Sequence, residues 1–227
     1  WELNRSSTSE TMSAEELRIV EERVAEVVQE NIKYEELEKK YDKWAKLYDH
    51  DMNVWGYKSP EVAAKEVAAI LGANKNARIL DVCAGTGMTG KSIYEAGYTN
   101  IDATDGNAQM LEEARSKNVY KNIFVAYLGK PIDVPDNSYD AITLFGGLCD
   151  GHIKVECFSC FRELVRITKP GGYFISGIEE TCVRDPYKTN LEGAFQKLVD
   201  EGLWEPVVNK VAKDGTYEEQ VWIYRIK

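Results

Sequence analysis

Ala77-Arg-Ile-Leu-Asp-Val-Cys-Ala-Gly-Thr-Gly-Met-Thr-Gly90 is an apolar run that ends in an acid and passes through three glycines into helical spacing. A strand, a tight turn and a helix in that order open the ligand-binding edge of an α/β sheet. Downstream, short β-rich runs alternate with helical ones. The pattern predicts strands over 77–83, 100–104, 122–127, 139–145 and 172–178, and helices over 88–96, 108–117, 155–168 and 190–201. Such alternation argues for a parallel sheet with helices on both faces. The end breaks the rule: Trp204–Val211 and Tyr217–Ile226 flank Asp214-Gly215, a tight-turn dipeptide, so these two strands should form an antiparallel hairpin.

Upstream, Leu17, Val20, Val24 and Val27 recur at helical steps behind Ser13 and Glu16, which read as a capping box. A second stripe, Tyr34, Leu37, Tyr41, Trp44 and Tyr48, is mostly aromatic. Asp49–Lys58 shows no clear period. Ser59-Pro60 then reads as an N-cap with proline at the first helical position, opening a helix that ends at Gly72. The chain therefore divides into a helical extension, 1–58, and an α/β domain, 59–227.

With 227 residues, 44% hydrophobic and 29% charged, the chain can bury a real core. Its net charge of −10 supplies none of the basic field that phosphate backbones or anionic membranes require, so no nucleic-acid or membrane partner is expected. No apolar run reaches the ~18 residues of a spanning helix, and Trp1-Glu-Leu-Asn-Arg-Ser-Ser lacks a signal peptide's apolar stretch, which predicts a cytoplasmic protein. Five cysteines make no disulfide framework.

Read literally, Gly85-Thr-Gly-Met-Thr-Gly90 is G-x-G-x-x-G, and Asp105 stands twenty residues beyond Gly85, where a dinucleotide site keeps its ribose-binding acid. The pattern alone permits NAD(P) and an oxidoreductase. Charge points elsewhere. Asp81 lies at the end of the strand beneath the turn, where it would repel a pyrophosphate but welcome a cation. S-adenosylmethionine carries an ammonium and a sulfonium and no phosphate, so it suits an acid under the glycines.

These residues resemble the class I S-adenosylmethionine-dependent methyltransferases from about Glu61 to the C-terminus. The family's acid-x-Gly-x-Gly-x-Gly is matched by Asp81-Val-Cys83-Ala84-Gly85-Thr86-Gly87, with Cys83 where the first glycine stands. The family's acid-x-Ser-x-x-Met-Leu is similar to Asp105-Gly106-Asn107-Ala108-Gln109-Met110-Leu111. Pro135–Asp140 and Arg166–Gly172 also look like phrases of the family. Tyr41-Asp-Lys-Trp-Ala-Lys-Leu-Tyr-Asp-His-Asp51, Tyr57–Pro60 and Gly146–His152 resemble the methyltransferase-like subfamily named after the Williams–Beuren syndrome region.

The resemblance implies a Rossmann-like, seven-stranded, mostly parallel sheet with a C-terminal antiparallel hairpin and helices on both faces, before which the N-terminal helical extension is expected to serve as a lid. The resemblance also implies that Asp81, Ala84, Gly85, Thr86 and Gly87 take the methionine end of S-adenosylmethionine and that Asp105 chelates the ribose. Gly106, Met110, Leu128 and Gly129 would hold the adenine, although the family's adenine-binding acid is missing after Leu128-Gly129. Phe145–Gly147 would pass near the sulfonium, and the spent cofactor would leave as S-adenosylhomocysteine.

Methyl transfer is an in-line displacement that needs positioning and dryness, with a base optional. His152, beyond the fourth strand, could be that base or could orient a substrate. His50 is expected in irregular, exposed chain. Tyr41, Trp44, Tyr48 and Tyr57 could pack as core or line a small-molecule substrate pocket, covering the sulfonium as a lid that closes on cofactor. Cys157-Phe-Ser-Cys160 falls inside a predicted helix without a second pair, so no metal site is expected. The acidic face at 15–38 leaves open a second function, a cofactor-binding protein acting through partners.

Overall fold

The computed structural model describes residues 13–29, 32–149, 151–154, 158–182 and 184–227. Ser13 caps the first helix by accepting the Glu16 amide. Helix α1 (Ala14–Val27) lies along α2 (Tyr34–Trp55), and α3 (Ser59–Leu71) precedes the sheet. Strands β1 (Ile79–Val82), β2 (Ile101–Asp105), β3 (Ile123–Val125), β4 (Tyr139–Phe145) and β5 (Thr168–Glu179) alternate with α4 (Met88–Glu95), α5 (Ala108–Ser116) and α6 (Cys160–Ile167). After α7 (Tyr187–Asp200) come β6 (Trp204–Asp214) and β7 (Tyr217–Ile226). The seven strands run in the order β3-β2-β1-β4-β5-β7-β6, all parallel except that β7 is antiparallel to both β5 and β6.

The two-residue period of a strand divides the core. Ile79, Ile101, Ala141, Ile175 and Ile223 face the side covered by α3 and α4. Leu80, Val82, Ile142, Leu144 and Phe174 face the side covered by α6 and α7. There Phe174, Trp204 and Tyr224 stack with centroids 4.9 and 4.6 Å apart, which ties the edge hairpin to the sheet. No helix among the described residues is long and apolar enough to cross a membrane.

Three readings of the sequence need correction. Residues 49–55 are the last two turns of α2, which ends on left-handed Gly56, φ 77°. The apolar period is hidden there because, beside Met52, the buried residue is a charged one, Asp51, which accepts from Trp44 Nε1 and Arg23, each at 2.7 Å. Burial alone would raise Asp51, but Arg23, Trp44 and His50 hold it below the usual carboxylate range. His50 is thus helical, with its side chain exposed as expected. Helix α6 begins at Cys160, and residues 155–157, Cys157 among them, lie outside the described residues.

Ser59 is not the cap of α3. Lys58 holds that position, and Ser59 turns inward, fully buried, to donate to the Glu219 carboxylate at 2.5 Å. Tyr217 donates to the same carboxylate at 2.7 Å, so α3 is pinned to β7. Burial pushes Glu219 up to about 7. A carboxyl whose native value is raised favours the fold when protonated, and that stability is lost as pH rises from the unfolded value through 7. Glu219→Gln should therefore be more stable than the parent at pH 8, by at most ~3 kcal/mol, and no more stable near pH 4. Urea unfolding at both pH values checks this.

Candidate functional site

The carboxyl ends of β1, β2 and β4 face α2 across a cavity of about 580 Å³, within the usual range for a small-molecule site. Strand β1 delivers Cys83, Ala84 and Gly85 to its wall, and β2 delivers Thr104 and Asp105. Backbone amides fix both carboxylate oxygens of Asp105: Gly85 donates at 2.9 Å and Asn107 at 2.8 Å. Burial raises Asp105 against these bonds. The Thr104 hydroxyl, buried on the same wall, has no hydrogen-bond partner among the described residues. An orphaned buried hydroxyl beside a fixed carboxylate is a site for a polar ligand.

Of the expected cofactor residues, Ala84, Gly85, Thr86, Asp105, Gly106, Met110, Leu128 and Phe145 line this cavity. Asp81, Gly87 and Gly129 do not. Asp81 is buried under the turn, where its carboxylate accepts from Tyr120 Oη at 2.7 Å and Thr143 Oγ1 at 3.0 Å. Burial pushes it up to about 6, with those two hydroxyls pulling the other way. Gly87 and Gly90 are small for the same reason. A Cβ on Gly90 would stand 2.1 Å from Tyr120 Oη, and one on Gly87 would stand 2.9 Å from the ring. The third glycine of the literal G-x-G-x-x-G thus admits a tyrosine to Asp81.

Cys83 takes the left-handed conformation, φ 56°, that the first glycine of the family motif would adopt freely. Its side chain lies against Gly147, where a Cβ would come within 2.9 Å of Cys83 Cβ.

Helix α2 closes the opposite wall. Tyr34 sits over Gly106 and meets Tyr127 edge to face at 5.6 Å. Tyr41, Tyr48 and Tyr57 line the cavity, and burial raises all three phenols far above their ordinary values. Tyr41 Oη lies 2.6 Å from His152 Nε2, and His152 Nδ1 lies 2.9 Å from Cys149 Sγ. Trp44, expected beside the substrate, does not reach the cavity; its indole N–H is drawn to Asp51 instead. Asp150, within the Gly146–His152 phrase, lies outside the described residues. No cluster of three or more potential metal ligands occurs among the described residues.

Sequence reasoning missed the clasps that hold α2 down. Asn107 Nδ2 donates to Asp42 at 2.8 Å. Thr86 Oγ1 donates to Asp49 at 2.5 Å, and Lys117 Nζ reaches both Asp49, at 2.6 Å, and the Thr86 carbonyl. Each partner is a surface-type residue with nothing in its spacing to mark it. Lys117→Met should speed proteolysis within α1–α2 severalfold, because a partly buried ammonium that joins helix to loop is lost. Limited trypsin digestion followed by mass spectrometry checks this.

Residues 79–172 match the family model described as a methyltransferase domain. Methyltransferase-like protein 27 of Homo sapiens is 33% identical over 170 residues, covering 74% of this chain and 68% of that protein. The demethylmenaquinone methyltransferase of Staphylococcus aureus is 28% identical over 145 residues, covering 62% of this chain and 59% of that protein. Among solved structures, a putative S-adenosyl-L-methionine-dependent methyltransferase from Methanococcus maripaludis has the same fold, with a TM-score of 0.61 at 19% identity over 88% of this chain and 96% of that one.

Proposed function

The chain belongs to the S-adenosylmethionine-dependent methyltransferases, in the family of Methyltransferase-like protein 27, and on that premise we propose that it methylates an oxygen or nitrogen of a small molecule. The observation that carries the reading is a single cavity lined both by the Gly85–Asp105 cradle and by the Tyr41, Tyr48, Tyr57 and His152 side chains. The donor set suits the cofactor. Asp105 has lone pairs left for two ribose hydroxyls, Thr104 offers a free hydroxyl, and Met110, Leu128 and Phe145 supply apolar surface for adenine and methionine. When bound, S-adenosylmethionine supplies a methyl group on a sulfonium, which the acceptor's lone pair takes as the carbon–sulfur pair returns to sulfur.

The chain's own part is to hold, dry and deprotonate. Tyr41, Tyr48 and Tyr57 bring aromatic rings to the cavity wall, a lining suited to a cation and to the exclusion of water. Helices α1 and α2 act as a lid, latched by Asp42–Asn107 and Asp49–Thr86. A small acceptor agrees with the size of the cavity and with the Staphylococcus aureus relative, which is named for demethylmenaquinone.

The test is formation of S-adenosylhomocysteine from S-adenosylmethionine over a panel of phenols, amines and carboxylic acids. Turnover with a phenol or an amine is expected. Turnover only when another protein is supplied as acceptor would overturn the small-molecule reading.

A further inference from the structure

The ring nitrogens of His152 face two side chains: Tyr41 Oη at 2.6 Å on Nε2 and Cys149 Sγ at 2.9 Å on Nδ1. Tyr41 and His152 both line the cavity, and the phenol oxygen bonded to Nε2 keeps a lone pair that can take an acceptor's proton. We infer that Tyr41 is the catalytic residue that receives the acceptor's proton, and that His152 receives the phenol's own proton in the same step. This rests on the methyl-transfer reading above.

Three observations support that direction of transfer. The Gly146 carbonyl, 4.0 Å from Cys149 Sγ, offers the thiol an acceptor other than Nδ1, and with the S–H placed there sulfur lone pairs take an Nδ1–H and Nε2 is the acceptor. Burial keeps the Tyr41 phenol protonated, so it has a proton to give. The ring is also held on two sides, stacked on Trp44 at 5.9 Å and roughly perpendicular to the His152 ring at 5.7 Å, so its oxygen is aimed rather than free to swing.

The proton balance closes. The acceptor loses a proton to Tyr41 Oη, Oη passes its proton to Nε2, and the positive charge that leaves sulfur ends on the imidazole. Tyr41 belongs to α2 and His152 to the loop after β4, so the pair exists only while α2 lies against the sheet edge. Closure of the lid then assembles the base, which couples chemistry to a dry site.

Nitrogen-15 spectra of the histidine-labelled full chain with S-adenosylhomocysteine read the pair directly, because His50 is the only other histidine and is exposed, an internal reference. The expected neutral His152 carries its proton on Nδ1 and accepts at Nε2; the opposite tautomer would overturn the inference without any variant. In Tyr41→Phe the Nε2 signal should move to an unbonded position. With the best acceptor of the panel, kcat should fall about 100-fold or more, while KM for S-adenosylmethionine stays within about twofold. His152→Gln should lose as much, and the double variant no more than either single one. Undiminished turnover in Tyr41→Phe, or additive losses, would overturn it. Should Tyr41→Phe not fold, His152→Gln and the parent spectrum decide. If the parent turns over no acceptor, the methyl-transfer reading fails, and the tautomer still decides whether the pair exists.

Discussion

Asp105→Ala is expected to weaken S-adenosylmethionine and S-adenosylhomocysteine at least about 100-fold in calorimetric titration, because each hydrogen bond to a buried charge is worth about 1.5–3 kcal/mol and two are lost together. The change also frees the Gly85 and Asn107 amides that the carboxylate fixes, so the glycine turn and the start of α5 lose a common anchor. Melting temperature should fall far less than affinity, since residue 105 sits at the rim of the core rather than within it. Binding within about threefold of the parent would remove Asp105 from the cofactor site. Thr104→Val, which deletes only the orphaned hydroxyl, should cost affinity more mildly, by about 1 kcal/mol or roughly fivefold.

Gly90→Ala should be strongly destabilising. Its Cβ would overlap Tyr120 Oη at 2.1 Å and two ring carbons at 2.3 Å, so the tyrosine must leave. Among the described residues Asp81 then keeps only Thr143 as a side-chain donor, and no cation stands among its described partners. Stripping a buried carboxylate of a strong donor and displacing a packed ring costs about 3–4 kcal/mol together, or a fall of about 10 °C in melting temperature for a chain of this size. Tyr120→Phe separates the two parts, keeping the ring and losing the hydroxyl, at about 2 kcal/mol.

The pH dependence identifies the group. Asp81 titrates at about 6 in the native state, above the unfolded value, so the stability it contributes when protonated is lost as pH rises through 6. The lost Tyr120 bond favoured the ionised form. Tyr120→Phe should therefore lose most above pH 6 and least near pH 4. An equal loss at both ends would mean that Asp81 is not the group disturbed.

The sheet was legible because its signals are local. Alternating apolar runs placed all seven strands, and Asp214-Gly215 placed the hairpin. What failed depended on distant partners. Asp51 hid two turns of α2 because a buried carboxylate adds nothing to a hydrophobic period, and Ser59 looked like a cap until Glu219, 160 residues away, drew it inward.

The same holds in the candidate site. Asp105 follows its strand and lines the cavity at the place its sequence position suggests, whereas the bond from Tyr120 to Asp81 could not be read because nothing near Asp81 in sequence announces that tyrosine. The aromatic stripe of α2 could be seen but not divided. Tyr41 and Tyr48 face the cavity while Trp44 turns to Asp51, a choice made by packing against α1. Literal spacing also kept a dinucleotide in view, and only the neighbour of Gly90 shows what that glycine is for.

Thermal unfolding of the full chain with S-adenosylmethionine, S-adenosylhomocysteine, NAD and NADP in turn tests the central claim most directly. A ligand held only by the native state adds about 2.7 kcal/mol at a hundredfold excess over its dissociation constant. Stabilisation by the first two alone, abolished in Asp105→Ala, is the expected result. Stabilisation by NAD or NADP alone, or the same rise with S-adenosylmethionine in Asp105→Ala as in the parent, would contradict the account.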